Sequence, residues 1–210
     1  MRALGAKRIL EFGSGFSTLM MAREIAAVEG NYLLSIDDSP YYSGLAKEAF
    51  DGSGCQAKVD FRVAPLKPRL YGPRLLLSYD LPKGLLSALG PFDLVLVDAP
   101  HCDYGRESVF YDAFPAMGLN YYLVLDDANR PDTERAYVRA WQAAYGDAMD
   151  PVLLEGIGNG LGVMEKLADR KPAFPYKGAL AASLRSVRNY GRFLLRSGKP
   201  EAHPENVSEA

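Results

Sequence analysis

Five carboxylates in this chain stand where an apolar run stops: Glu11, Asp37, Asp98, Asp126 and Asp127. The runs are "ILEF", "YLLSID", "FDLVLVD" and "YYLVLDD", each short enough to be one strand. A carboxylate in such a place can accept hydrogen bonds from sugar hydroxyls, hold a hard cation through oxygen, or attract an ammonium or sulfonium group. It can also do no more than cap the following helix. One such residue therefore decides nothing, but five gathered along one edge of one sheet point to a ligand.

Glu11 is followed by "GSGFST". A dinucleotide-binding loop places a third glycine where Thr18 stands here, and its helix N-terminus receives a pyrophosphate. The charge of Glu11 opposes a diphosphate and favours a cationic ligand. A nicotinamide-dependent dehydrogenase is thus the disfavoured alternative. His101 follows Asp98 by three residues, and an imidazole with a pKa of about 6.5 accepts a proton near neutrality; a solvated loop histidine is the plainer reading. Cys102 beside it gains no facing geometry from adjacency and reads as structural or incidental. Arg106, Asn129 and Arg130, with Asp103 and Tyr104, are placed to contact a polar or acidic substrate. Tyr41 and Tyr42 read as packing or as cover for a ligand.

These groups need elements to position them. Strands are expected at Arg8–Phe12, Tyr32–Ile36, Val59–Val63, Leu94–Val97 and Tyr121–Leu125, alternating with helices after Ser17, after Pro40, over Ser108–Met117 and over Thr133–Tyr145. Ser17 is expected to cap its helix. The alternation predicts a Rossmann-like, doubly wound, mostly parallel sheet in three α/β/α layers, with ligands at the carboxyl ends of its strands. Val152–Glu155 and Leu161–Lys166 flank "GIGNG" and predict a closing antiparallel hairpin, for seven strands in all. The proline-rich "APLKPRLYGPR" reads as a long loop.

In the order "LEFGSGFS", "LSIDDSP", "FDLVLVDAP", "LVLDDANR" and "GNGLGVMEK", the chain resembles the class I S-adenosylmethionine (SAM)-dependent methyltransferases over about residues 8–166. The "STL", "VDAP" and "DDANR" variants resemble the small-molecule or sugar O-methyltransferase branch. The resemblance implies that Gly13, Ser14, Gly15 and Ser17 line the methionine end of SAM with Glu11 near its ammonium group. It also implies that Asp37, with Asp38 second, holds the ribose hydroxyls, and that Ala64 and Leu66 lie by the adenine. Asp98 would border the cofactor and act in catalysis with His101. Metal-dependent catechol-type relatives hold a divalent cation such as Mg with an aspartate after the fourth strand and an Asp-Asn pair after the fifth. Here Asp98, Asp126 and Asp127 fill those places, with Asp-Asp for Asp-Asn. The helix that precedes the first strand in much of the superfamily has no counterpart, so the pocket is expected to be open, or completed by the tail or another subunit.

A hydrophobic content of 48% with 24% charged residues fits a folded globular chain. No apolar run approaches the roughly 20 residues of a membrane span, and two cysteines without a signal-like N-terminus make the cytoplasm the expected compartment. Residues 1–167 read as the methyltransferase domain and 168–210 as an extension. Between Lys171 and Lys199 there are seven basic residues and no acidic one. Leu180, Leu184, Val187 and Leu194 keep helical spacing beside Arg185, Arg188, Arg192 and Arg196. Such a helix serves peripheral membrane contact, a partner, or packing on its own domain or in a homodimer; nucleic acid is the disfavoured partner. His203 and "EAHPENVSEA" read as a polar, disordered end. A cofactor-binding scaffold without turnover is the non-enzymatic alternative.

Overall fold

The computed structural model describes residues 5–101, 104–174 and 176–197, the last two by backbone alone. Cys102, Asp103, His203, the side chain of Arg196 and the polar end lie outside the described residues.

Seven strands form one sheet: β1 (Arg8–Phe12), β2 (Tyr32–Asp37), β3 (Val59–Val63), β6 (Phe92–Val97), β7 (Met117–Leu125), β8 (Met149–Leu154) and β9 (Leu161–Lys166). Their order is β3-β2-β1-β6-β7-β9-β8, with β9 antiparallel to β7 and to β8 and the other neighbours parallel. The order reverses between β1 and β6, the place where such sheets open a crevice at their carboxyl edge. Period-two alternation sends Ile9 and Leu33 to the face covered by α1 (Phe16–Ile25), where they meet Met21 and Ile25. Leu10, Phe12 and Leu34 go to the opposite face, under α4 (Glu107–Ala113) and α5 (Glu134–Tyr145). The helix α2 (Pro40–Gly52) starts on Ser39, whose hydroxyl accepts from Tyr42 N–H, with Pro40 where its missing donor costs nothing.

The proline-rich segment is not a loop. It forms a second, two-stranded sheet, β4 (Leu66–Tyr71) against β5 (Arg74–Tyr79), turned by Gly72 and Pro73 with Gly72 at φ 55°. Glycine suits that left-handed position, and Pro68 is tolerated because this is a pair of edge strands. A short helix, α3 (Leu85–Leu89), leads from the hairpin to β6. The tail helix α6 (Ala179–Ser197) packs mainly on β5. Leu75 N–H, an outward donor of that edge strand, donates to Ser183 Oγ at 2.9 Å. Ala182 of this helix belongs to the main core.

The main core is stapled by aromatic rings. Trp141 of α5 stacks on Phe110 of α4 with centroids 4.5 Å apart, and its indole N–H donates to the Glu107 carbonyl at 2.8 Å. Truncation removes a fully buried ring and the side-chain donor to that carbonyl. Trp141→Ala is expected to lower the unfolding free energy by about 3–5 kcal/mol in urea titrations; a loss below about 1 kcal/mol would show that the stack does not hold α4 and α5 in place.

Candidate active site

Glu11 sits in the middle of the sheet, paired in register with Ser35, and is fully buried. Its alternation phase points it at α1, and three hydroxyls supply the donors. Ser17 Oγ donates at 2.5 Å, Thr18 Oγ1 at 2.6 Å and Ser35 Oγ at 2.7 Å. Burial pushes the Glu11 carboxyl above its usual range, and the three hydrogen bonds pull it back only in part. Ser17 is therefore not the cap of α1: the helix begins at Phe16 after Gly15, and Ser17 is already inside it. Thr18, standing where a dinucleotide loop has glycine, both donates to Glu11 and accepts from Gly15 N–H at 2.9 Å.

The loop so anchored reaches Asp37. Ser14 N–H donates to Asp37 Oδ2 and Ser39 N–H to Asp37 Oδ1, each at 2.7 Å. Gly13 (φ 111°) lies against β6's end, where a Cβ would come within 3.0 Å of Ala99 Cβ. Both Asp98 and Ala99 donate their N–H groups to the Phe12 carbonyl. Gly15 is different: a Cβ there would meet nothing within 4 Å, so the loop's crest opens outward. Phe16 stands beside it, 77% exposed. Asp38 is half-buried, whereas Ala64 and Leu66 are core residues, and Ala64 N–H is taken by the Asp37 carbonyl. The sequence places Leu66 in a loop by a ligand; the structure places it in β4 with its side chain turned into the core.

Across the switch point, oxygens of Asp98, Asp126 and Asp127 lie within 4.8 Å of one another. Burial raises the Asp98 carboxyl's pKa, and Asp126 and Asp127 add to the rise while Arg106 opposes it. Arg106 is buried under this cluster and not turned to a substrate. Its Nε donates to the Pro100 carbonyl at 3.0 Å, and its two terminal nitrogens bond the Asp126 carbonyl and Asp98 Oδ1, each at 3.2 Å. Asn129 is likewise engaged: it donates to the Glu155 carbonyl and accepts from Arg135, pinning the end of β7 to the β8–β9 turn. Arg130 is half-exposed at the mouth and pairs with Asp127 at 2.7 Å. His101 is exposed on the loop after β6, its ring 6.1 Å from that of Tyr104.

Sequence reasoning missed four residues here. Thr18 and Ser35 hold Glu11; Ser35, a hydroxyl inside the apolar "YLLSID", was the available signal. Glu134, fully buried at the start of α5, faces Arg106 and Arg130 at 3.8 and 3.7 Å. Tyr79 closes β5 with its hydroxyl buried and without a hydrogen-bond partner among the described residues; burial raises its pKa well above the usual value, and the nearby charges of Asp38, Asp37 and Asp98 raise it further against the opposing Arg106.

The sequence profile of the O-methyltransferase family matches residues 1–113. The chain belongs to that family. It is 30% identical over 105 residues to a catechol O-methyltransferase of Niastella koreensis, across 47% of this chain and 41% of that protein, so it spans less than half of that relative's length. Among solved structures it is similar to an O-methyltransferase from Bacillus cereus in complex with SAH, at a TM-score of 0.59 and 16% identity over 79% of this chain and 76% of the other. It is also similar to TomG from Streptomyces achromogenes, an O-methyltransferase of tomaymycin synthesis in complex with SAM, at a TM-score of 0.58 and 21% identity over 80% and 76%. At those identities the two structures establish the fold, a methyltransferase-type Rossmann-like sheet.

The raised pKa of Glu11 has a pH signature. A group whose folded pKa lies above its unfolded value stabilises the protonated fold, and the fold loses that stability as pH rises from the ordinary value of 4.5 through the raised one. Glu11→Gln cannot ionise and lacks this loss. Its stability relative to the parent chain is therefore expected to increase with pH across that window in urea titrations. A pH-independent difference would show that Glu11 titrates as an ordinary carboxylate.

Proposed function

We propose that the protein is a SAM-dependent methyltransferase that methylates an oxygen of a small-molecule or sugar-like acceptor. One observation carries the reading: Gly13 packs directly on the Asp98–Ala99 backbone, so the glycine loop and the acidic cluster share one crest of the sheet. A donor held by the first lies beside an acceptor held at the second.

The residues present suit SAM. The open space over Gly15 admits a ligand against the backbone, and Asp37 at the end of β2, with Asp38 just after it, would hold the ribose in this reading. Glu11 acts at one remove, because its carboxylate is spent on three hydroxyls and fixes the loop that would meet the methionine end. SAM, when bound, supplies a methyl group on positive sulfur, which transfers by in-line displacement. The chain's task is then to align the two partners and take the acceptor's proton. The His101 imidazole nitrogen, on the loop after β6, is the base in this reading, and Asp98 orients the acceptor. Arg130 is the substrate contact that remains available at the mouth.

A divalent cation suits the cluster through its chemistry, three carboxylate donors close together. Asp98, Asp126 and Asp127 would hold it, with Arg106 and Arg130 steadying Asp98 and Asp127. Such an ion supplies Lewis acidity toward an acceptor oxygen.

Calorimetric titration with SAM and with NAD, and SAH release with catechol-type and sugar-like acceptors, test the reading. Binding of SAM but not NAD is expected; protection by NAD alone would overturn it, and binding without any turnover across the acceptors would favour a scaffold. Asp37→Ala is expected to weaken SAM binding about tenfold or more, the loss of a hydrogen bond to a charged acceptor. Asp98→Ala should leave SAM affinity nearly intact and lower kcat on the order of a hundredfold. Equal effects of the two substitutions on affinity would remove these assignments. Chelation followed by Mg is expected to abolish and restore turnover; turnover indifferent to chelator would discard the cation.

A further inference from the structure

The helix α6 packs on the body by the side opposite to its apolar stripe. Its inward face is Ala179, Ala182, Ser186 and Asn189, all buried, with Tyr190 and Phe193 partly buried against the core. Small residues there let the helix approach β5 closely enough for Ser183 to meet the strand's N–H. Facing solvent are Leu180 (75% exposed), Leu184 (63%), Val187, Leu194 and Leu195 (74%), with Gly191 filling the gap in the stripe. At 100° per residue, Arg188 and Arg192 fall along one border of that stripe, and both are exposed. No acidic residue occurs anywhere from Lys171 to Lys199.

We propose that this outer face of α6 docks on an anionic lipid surface. A leucine ridge with arginines along its border and no acidic residue is the composition of a helix that lies in the plane of a bilayer interface, aliphatic side chains among the acyl chains and guanidinium groups at the phosphates. The alternatives match less of it. A nucleic-acid backbone satisfies the arginines and leaves five aliphatic side chains in water. A second α6 covers the leucines and brings together two arginine rows with no acidic residue on either helix. No helix among the described residues is long and apolar enough to cross a membrane, so the contact is peripheral.

The inner face ties this surface to the site. Arg185 donates to the Asp132 carbonyl in the loop after β7, and Phe193 meets Tyr104, neighbour of His101, with ring centroids 5.4 Å apart. A chain docked through α6 therefore holds both site loops close to the headgroups. The proposal is independent of the reaction assigned above.

The test is co-sedimentation of the full chain with vesicles of phosphatidylcholine alone and of phosphatidylcholine mixed with phosphatidylserine. Sedimentation with the mixed vesicles only, reversed by high salt, is expected. Leu180→Ser/Leu184→Ser and Arg188→Glu/Arg192→Glu should each weaken it about tenfold or more. Because all four side chains are exposed, both variants should keep the parent's thermal unfolding midpoint. No sedimentation with anionic vesicles overturns the proposal. So does binding that survives the double leucine substitution, or a dimer by light scattering that the same substitution splits.

Discussion

A carboxylate in the interior of a parallel sheet must be satisfied where it stands, because burying a charge without compensating hydrogen bonds costs far more than one side chain contributes to a fold. Glu11 is that carboxylate, and the geometry around it follows from the need. Its three donors come from two separate stretches, Ser35 of β2 and Ser17 and Thr18 of the first turn of α1. Satisfying Glu11 therefore fixes the distance between β2 and α1, and with it the path of Gly13, Ser14 and Gly15 between them. Thr18 passes the constraint on by accepting from Gly15 N–H, and Ser14 passes it to Asp37. A glycine at position 18 would remove one donor to Glu11 and one acceptor from the loop together.

The acidic residues thus divide by what already occupies them. Glu11 is closed off, and Asp37 has an internal donor on each oxygen while remaining at the carboxyl edge, where a carboxylate oxygen can accept more than one hydrogen bond. Asp98, Asp126 and Asp127 are the most open, and their mutual repulsion is relieved from beneath by Arg106. A planar guanidinium with its donors spread in a fork can bind two backbone carbonyls and a carboxylate at once, which a lysine ammonium at that depth would do less well. Counting Glu134, three carboxylates, Asp98, Asp127 and Glu134, face two guanidinium groups, and Asp126 beside them adds a fourth negative charge. The excess negative charge is directed to the mouth, the side from which a cation or a cationic cofactor enters.

The strands β1, β2 and β6 were legible because each is a largely buried apolar run with a carboxylate at or just past its end, and such runs report burial directly. The positions of the acidic residues along one edge followed from the alternation of strands and helices. Three features were not legible, each for a physical reason. The β4–β5 hairpin is half exposed and contains Pro68, so it lacks the continuous apolar signature and its proline content reads as loop. The inward turn of Arg106 depends on carbonyls of Pro100 and Asp126, and backbone acceptors leave no mark in sequence. The orientation of α6 was open because periodicity shows that a helix has an apolar side without showing what lies against it. Here a strand edge with an unpaired N–H selected the serine side.

Tyr79 shows why these less legible parts bear on chemistry. It lies at the end of β5, packs on Phe12 with ring centroids 5.4 Å apart, and feels the charges of Asp37, Asp38 and Asp98 together. Those three residues belong to the two halves of the site, the cofactor side at β2 and the acidic side at β6. Tyr79 of the hairpin is therefore sensitive to charge in both halves. The hairpin is in turn held from outside by α6, through Leu75 N–H on Ser183, and by the segment just before that helix, through Arg74 on the Lys177 carbonyl. The helix α6 bonds β5, and β5 carries Tyr79, which feels both carboxylate groups. The tail helix is mechanically continuous with the site even though none of its residues is among the carboxylates.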